Sequence, residues 1–226
     1  MPRFPRPKRS AGRPSPPPRR YHHGDLKRVL VDAALELAAE GGPEQVSVRE
    51  AARRAGVSPA APFRHFASRE ALMSAVAEEA QRRFRTEIAR AMADAPADDP
   101  LARFRQLGLA YLRWAMRNPA HFTIISTRAH FDHDGSASVS RDNAELIALT
   151  GDLLAEAAAR GQLRPLDLAT ARIAGRALVY GFARMHIDGH FPRWGVAEAE
   201  VEEMAAAIID LFIAGIARDA APAAKV

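Results

Sequence analysis

An all-α protein, with a small N-terminal helical unit followed by a larger helical domain, is what this sequence predicts. Three observations carry that expectation. Apolar residues recur three and four positions apart through most of the chain. Alanine and leucine are plentiful, while the β-branched runs typical of strands are scarce. Ser, Asp, Pro and Gly fall where helices should start and stop.

The first helix runs from about Asp25 to Glu40. Leu26, Val29, Leu30, Ala33, Ala34, Leu37 and Ala38 form one apolar stripe, and Gly41-Gly42-Pro43 ends it. Ser47-Val48-Arg49-Glu50 has the pattern of a capping box, Ser47 capping the next helix and Glu50 reaching back to its amide. That second helix extends to about Ala55, with Val48, Ala51, Ala52 and Ala55 inward. Gly56 supplies a sharp turn, Ser58 is placed to cap a third helix, and Pro59 suits its first position. Pro62 removes the bond back to the Ser58 carbonyl, so this third helix is expected to be short.

From Ala51 to Arg69 there is no acidic residue, while Arg53, Arg54, Arg64 and Arg69 are positive. Helix, tight turn, helix, braced by a preceding helix, is the helix-turn-helix pattern, and the third helix reads as the element laid against DNA. Tyr21-His22-His23-Gly24-Asp25-Leu26 and the Val57–Leu72 segment resemble the N-terminal domain of TetR/AcrR-type transcriptional regulators. The resemblance implies that Ser47, Arg64, His65 and Arg69 touch DNA, and Ser58, at the start of the same element, is a further DNA-binding candidate. The resemblance also implies that Ala60, Ala61 and Pro62 form the front of the recognition helix, where small side chains allow close approach. Phe63 stands where that family usually has tyrosine, so a phosphate-binding hydroxyl is lost; packing or a thymine methyl is its alternative partner. Phe66 is expected in the core.

Charge supports the same reading from outside the motif. Residues 1–24 carry seven Lys/Arg and no Asp/Glu, residues 25–80 seven basic and nine acidic, and residues 81–226 eighteen of each. The net charge of +5 therefore resides in the N-terminal arm. Residues 1–20 are Pro- and Arg-rich and expected to be disordered or extended. A basic arm before a DNA-reading unit favours phosphate or minor-groove contact, with Arg19 and Arg20 nearest the folded part.

Ser68 caps a fourth helix reaching to about Met92. Asp99-Pro100 opens a fifth, broken by Asn118-Pro119, in which Leu101, Phe104, Gly108, Tyr111 and Ala115 alternate three and four apart. The stretch from Tyr111 to Phe122 resembles the C-terminal domain of a TetR subgroup called WHG. Arg128 to Asp142 is polar and expected to be a solvated loop. His130-Phe131-Asp132-His133-Asp134 collects metal-ligand residue types, but its spacing fits no metal motif. A helix from about Asn143 to Arg160 ends at Gly161. Asp167 caps another to about Asp188, with a seam of Leu168, Ala171, Gly175, Leu178, Phe182 and Met185. The last, about Ala197 to Arg218, carries Val201, Met204, Ala205, Ile208, Leu211, Phe212 and Gly215 as a similar seam.

These two seams suit either a four-helix interface between two copies, through Leu178, Phe182, Met204, Ile208, Leu211 and Phe212, or an intrachain core. The family resemblance implies the former. The expected organisation is an arm (1–20), a DNA-binding domain (21–72), an effector-binding and dimerisation domain (73–218) and a tail (219–226).

The expected function is a ligand-responsive transcriptional regulator, more a repressor than an activator, that binds double-stranded DNA as a homodimer and is not an enzyme. Its partners are DNA and a small-molecule effector of unknown identity, for which Trp114, Phe122, Tyr180 and His186 are the candidate pocket residues. No cofactor or metal is expected. Absence of cysteine excludes disulfides, thiolate catalysis and Cys-based zinc sites. No stretch is apolar and uncharged for long enough to cross a bilayer, and no signal peptide is evident, so a cytoplasmic location is expected. Two alternatives remain: a metal-dependent enzyme using the His130–Asp134 loop, and an effector-free architectural DNA-binding protein.

Overall fold

Residues 26–127, 130–132 and 135–218 are described by a computed structural model, and among them the secondary structure is helical apart from one isolated bridge between Leu163 and Ala217. The helices are α1 (Leu26–Gly41), α2 (Val48–Arg54), α3 (Arg69–Ala93), α4 (Pro100–Arg117), α5 (Pro119–Ser126), α6 (Ala137–Ala159), α7 (Leu168–Ile187) and α8 (Val201–Ile216). No helix among the described residues is long and apolar enough to cross a membrane.

Four caps form where the sequence places them. Ser47 Oγ accepts the Glu50 amide at 3.1 Å, and Ser68 Oγ accepts the Ala71 amide at 3.2 Å. Asp99 accepts from Leu101 and Ala102 at 3.1 and 3.0 Å, and Asp167 accepts from Thr170 at 2.8 Å. Each satisfies amides that the first helical turn leaves unbonded, worth about 1 kcal/mol per cap. The return half of the capping box at Ser47 is not made. Glu50 instead takes Arg53, whose Nε lies 3.0 Å from its carboxylate, because a charged donor outcompetes a neutral amide.

Two expectations are corrected. The stretch after Gly56 is not an α-helix: turns lead into a single 3-10 turn, Pro62–Arg64. The Ala61 amide bonds back to Ser58 O at 3.1 Å and the His65 amide to Pro62 O at 2.8 Å, both three residues back. Pro62 has no N–H to donate to Ser58, so the four-residue ladder has no first rung. Ser58 contributes its carbonyl to this turn rather than a side-chain cap.

The second correction concerns Arg128 to Asp142. α6 begins at Ala137, not Asn143, with Ser136 Oγ accepting the Val139 amide at 3.4 Å. Phe131 and Val139, 6% and 1% exposed, are driven into the N-terminal core, so the segment is anchored rather than solvated. His130 is half-buried with Nδ1 3.8 Å from Glu44. Among the described residues no group of three or more His, Cys, Asp or Glu is placed to hold a metal; His133 and Asp134 lie outside the described residues.

Two hydrophobic cores result. One joins α1, α2 and the first half of α3 through Leu30, Val46, Phe66, Leu72, Met73 and Val76. The other gathers Phe84, Phe104, Tyr111, Trp114, Phe122, Leu154, Phe182 and Ile209 from α3 to α8. The long helix α3 belongs to both, passing from the first core at Ala80 to the second at Phe84. A short helix, α5, also serves both: Ile124 lies in the first and Phe122 in the second. Burial of each such large side chain contributes about 1.5–3 kcal/mol before entropy is counted.

Candidate nucleic-acid interface

The N-terminal unit offers one exposed edge. α2 closes with the Val57 amide bonding Ala52 O at 3.1 Å, and Gly56, at φ 67°, takes the left-handed conformation this closure requires. Ser58, Pro59 and Ala60 then lie exposed, Ala61 is half-buried, and Phe63, Arg64 and His65 face solvent. Phe63 is 49% exposed, an unusual place for a large apolar side chain in a tight turn. Beneath them Phe66 is 2% exposed and Pro62 is fully buried. Pro62 therefore supports the turn from below and presents no face to a ligand, a correction to its expected position at the front. The exposed trio is thus flanked on either side by a buried residue.

The arginines of this region divide by partner. Arg53 is paired with Glu50, and Arg54 reaches Glu40 at 2.6 Å and Glu36 at 3.5 Å. The hydrogen bond from Arg54, with its charge, holds the Glu40 carboxyl below the ordinary range despite a small opposing cost of desolvation. Arg69 Nε donates to Val46 O and Nη2 to Pro43 O, both at 2.9 Å, and Glu44 lies 3.8 Å away. Three of the four positive charges in the acid-free stretch thus have partners within the protein. Arg64 has no such partner among the described residues.

Arg49 is a further exposed cation, on the outward side of α2 beside Ser47 and without an ion-pair partner among the described residues. The sequence signal that could have flagged it is its place at the second position of a capped helix, off the apolar stripe. Arg19, Arg20 and the Tyr21–Asp25 motif lie outside the described residues.

In the C-terminal half the aromatic residues expected to line a pocket are packed against one another. Phe84 meets Trp114 at 4.8 Å and Tyr111 at 5.5 Å between ring centroids, and Phe122 meets Tyr111 and Tyr180 at 5.9 Å each. Arg176 donates to the Tyr111 hydroxyl and lies 5.0 Å over its ring. His186 sits near Phe191, 6.4 Å between rings. Trp114 and Phe122 are buried, and this cluster is core. An open cleft of about 450 Å3 lies instead between α3 and α6, and none of Trp114, Phe122, Tyr180 or His186 lines it.

The two terminal helices split the seam residues. Phe182 is 6% exposed and packs on Phe191 at 4.6 Å, so it belongs to the intrachain core and not to a free face. Phe212 stacks on Phe104 at 6.2 Å; a side chain at Gly175 would meet these same two rings at 3.3 and 3.4 Å. Leu178 and Ile208 are half-buried. Met204, Leu211 and Ile173, by contrast, are 36%, 74% and 64% exposed. α7 and α8 therefore each keep an apolar face outside the core.

Two packed helices and a tight turn carrying an exposed 3-10 segment, joined to an all-helical second domain, match the arrangement of helix-turn-helix transcriptional regulators. The chain belongs to the TetR family. The model for bacterial regulatory proteins of the tetR family matches residues 30–76, and the tetracyclin repressor-like C-terminal domain matches residues 104–212, a broader description than the WHG type. The chain is 35% identical to the HTH-type transcriptional repressor KstR of Rhodococcus jostii over 65% of this chain and 66% of that one. A solved structure of a protein of unknown function from Rhodococcus sp. RHA1 is 31% identical, with a TM-score of 0.74, covering 88% of this chain and all of that one. The ketosteroid transcriptional regulator KstR2 of Mycobacterium tuberculosis shares the fold, at a TM-score of 0.66 and 19% identity over 85% of this chain and 95% of that one.

Proposed function

We propose that this chain is a ligand-responsive repressor that binds a palindromic operator as a homodimer and is released by a small-molecule effector. One observation carries the reading: Phe63, Arg64 and His65 stand exposed on a turn fixed from beneath by buried Pro62 and Phe66. In this reading Arg64 and His65 meet phosphate or base edges, and Phe63 offers an apolar contact to a thymine methyl. Ser58, Ala60 and Ala61 let the backbone approach. Ser47 and Arg49 face phosphates, and the arm with Arg19 and Arg20 adds salt-dependent affinity. Arg69 acts indirectly, by holding the loop ahead of α2.

The exposed apolar faces of α7 and α8, through Ile173, Met204 and Leu211, support a two-fold dimer. Such a dimer sets two reading turns about one DNA turn apart. An effector with different affinity for DNA-competent and DNA-incompetent arrangements would shift the population between them. Action on chromosomal DNA puts the protein in the cytoplasm.

Selection of bound fragments from genomic DNA tests this directly. The expected result is enrichment of one palindromic motif, half-sites about 10 bp apart, and its retention at moderate salt. Recovery of unrelated fragments, with binding that collapses steeply as salt rises, would instead mark an architectural protein and end the repressor reading.

A further inference from the structure

His121 is a half-buried titratable group that the DNA-binding reading leaves without a task. It is the third residue of α5, whose Phe122 and Ile124 belong to different cores. Its ring stands edge-on to Trp114 at 6.4 Å, and its Nε2 is buried with no hydrogen-bond partner among the described residues. A neutral imidazole tolerates that seat. An imidazolium, which carries a donor on each nitrogen, does not.

Three features oppose a proton here. Burial acts most strongly, and the Arg83 guanidinium adds a like charge. Together they hold the imidazole below its ordinary value of 6.5, against a smaller pull from Glu79. The third is α5 itself, which has no side-chain cap. Its unbonded first-turn amides and the positive end of its dipole lie beside any charge on His121.

The acids around this helix are already engaged. Glu79 is shared by Arg82 at 2.6 Å and Arg83 at 2.7 Å, and Asp32 of α1 is held by Arg83 at 2.5 Å. Glu44, in the 3-10 turn Pro43–Gln45 that also packs on α5, lies toward His130 and Arg69. α4 presents the uncharged Trp114, and α7 reaches α5 through Arg184, 3.4 Å from Thr123.

We infer that His121 is a proton-operated release: at mildly acid pH it takes up a proton, leaves its seat against Trp114 and loosens α5 from both cores, which lowers affinity for DNA. The last step rests on the DNA-binding reading above; the release itself does not. The seated form binds fewer protons than the loosened one. The seat is therefore secure above pH 6.5 and is lost as pH falls below it. One proton shifts such an equilibrium by at most about tenfold per pH unit. His65 works in the opposite sense, because a charge gained on the exposed reading turn tightens phosphate contact in acid.

Amide hydrogen exchange of the full-length protein at about pH 7.5 and about pH 5.5, either side of the ordinary histidine range and corrected for the intrinsic rate, tests the release. In wild type, amides of α5 and of the N-terminal core should exchange about three- to tenfold faster in acid. His121→Phe keeps a ring against Trp114 and removes the titration, so it should show no such change. His121→Gln, also untitratable, repeats the test without the apolar ring. Exchange that is level with pH in wild type, or equally accelerated in either folded variant, would overturn the release. So would a midpoint at or above 6.5 for the ring protons of His121 in wild type, a measurement that needs no variant.

Affinity is read on the operator that genomic selection recovers. It should fall in acid by a factor similar to the gain in exchange for wild type, and should not fall for His121→Phe. If exchange responds and affinity does not, the link to DNA is overturned. If no operator is recovered, the repressor reading fails, while exchange still decides whether the release exists.

Discussion

Arg69 Nη2 donates to the carbonyl of Pro43 at 2.9 Å, tying the first residue of α3 to the loop that precedes α2. A second bond from Nε to Val46 O, also at 2.9 Å, makes the arginine a two-point brace. A guanidinium can span two carbonyls in this way, whereas an ammonium lacks the fork.

Arg69 and Arg64 therefore predict opposite phenotypes. Arg69→Ala should lower unfolding free energy by about 2 kcal/mol, from loss of charge-assisted bonds and two stranded carbonyls. Lysine should restore only part of it. Arg64→Ala should leave the unfolding midpoint unchanged and weaken operator binding at least about tenfold. Denaturant titration with binding isotherms on both variants separates the roles; equal destabilisation of both would refute the division.

Leu211 and Phe182 divide in the same manner. Leu211→Glu places a charge on an exposed apolar face and should yield a folded monomer by sedimentation, with weakened operator binding. Phe182→Ala empties a buried position against Phe191 and should cost about 3–5 kcal/mol. A dimeric Leu211→Glu protein would move the interface elsewhere.

Glu79 governs an acid transition. Hydrogen bonds from Arg82 and then Arg83, outweighing the opposing effect of partial burial, lower its carboxyl from 4.5 to about 2. The folded state therefore favours the carboxylate. The stabilisation is present above pH 4.5 and is lost as pH falls toward about 2. Glu79→Gln should be less stable at neutral pH by about 1 kcal/mol or less, solvent screening most of the pair. Its denaturation midpoint should also change less across that acid range; parallel pH profiles for variant and wild type would exclude the mechanism.

Removal of residues 1–20 should reduce operator affinity and its salt dependence without loss of helicity. For every DNA phosphate that the arm neutralises, its removal should make the slope of log affinity against log salt shallower by about 0.9. An unchanged slope would place the arm away from DNA.

Much of the helical order was legible because a cap needs only neighbours: Ser47, Ser68, Asp99 and Asp167 each bond an amide two or three residues ahead. The start of α6 was not legible. It depends on Phe131 and Val139 finding a core built mainly by residues between Leu30 and Ala80, far earlier in the chain. For the same reason the acid-free run from Ala51 to Arg69 read as a basic surface. The carboxylates and carbonyls that occupy Arg54 and Arg69 come from α1 and the loop after it. The cleft was invisible because its walls come from α3 and α6, which lie some sixty residues apart in the chain.

The short helix α5 carries a mechanical consequence. Phe122 and Ile124 are 2% and 0% exposed, in different cores. Two residues apart, they point about 200° from one another around the axis at ~3.6 residues per turn. α5 is thus a small gear meshed with two wheels. Any roll that draws one tooth out drives the other, so neither half of the molecule can repack at α5 without the other registering the turn.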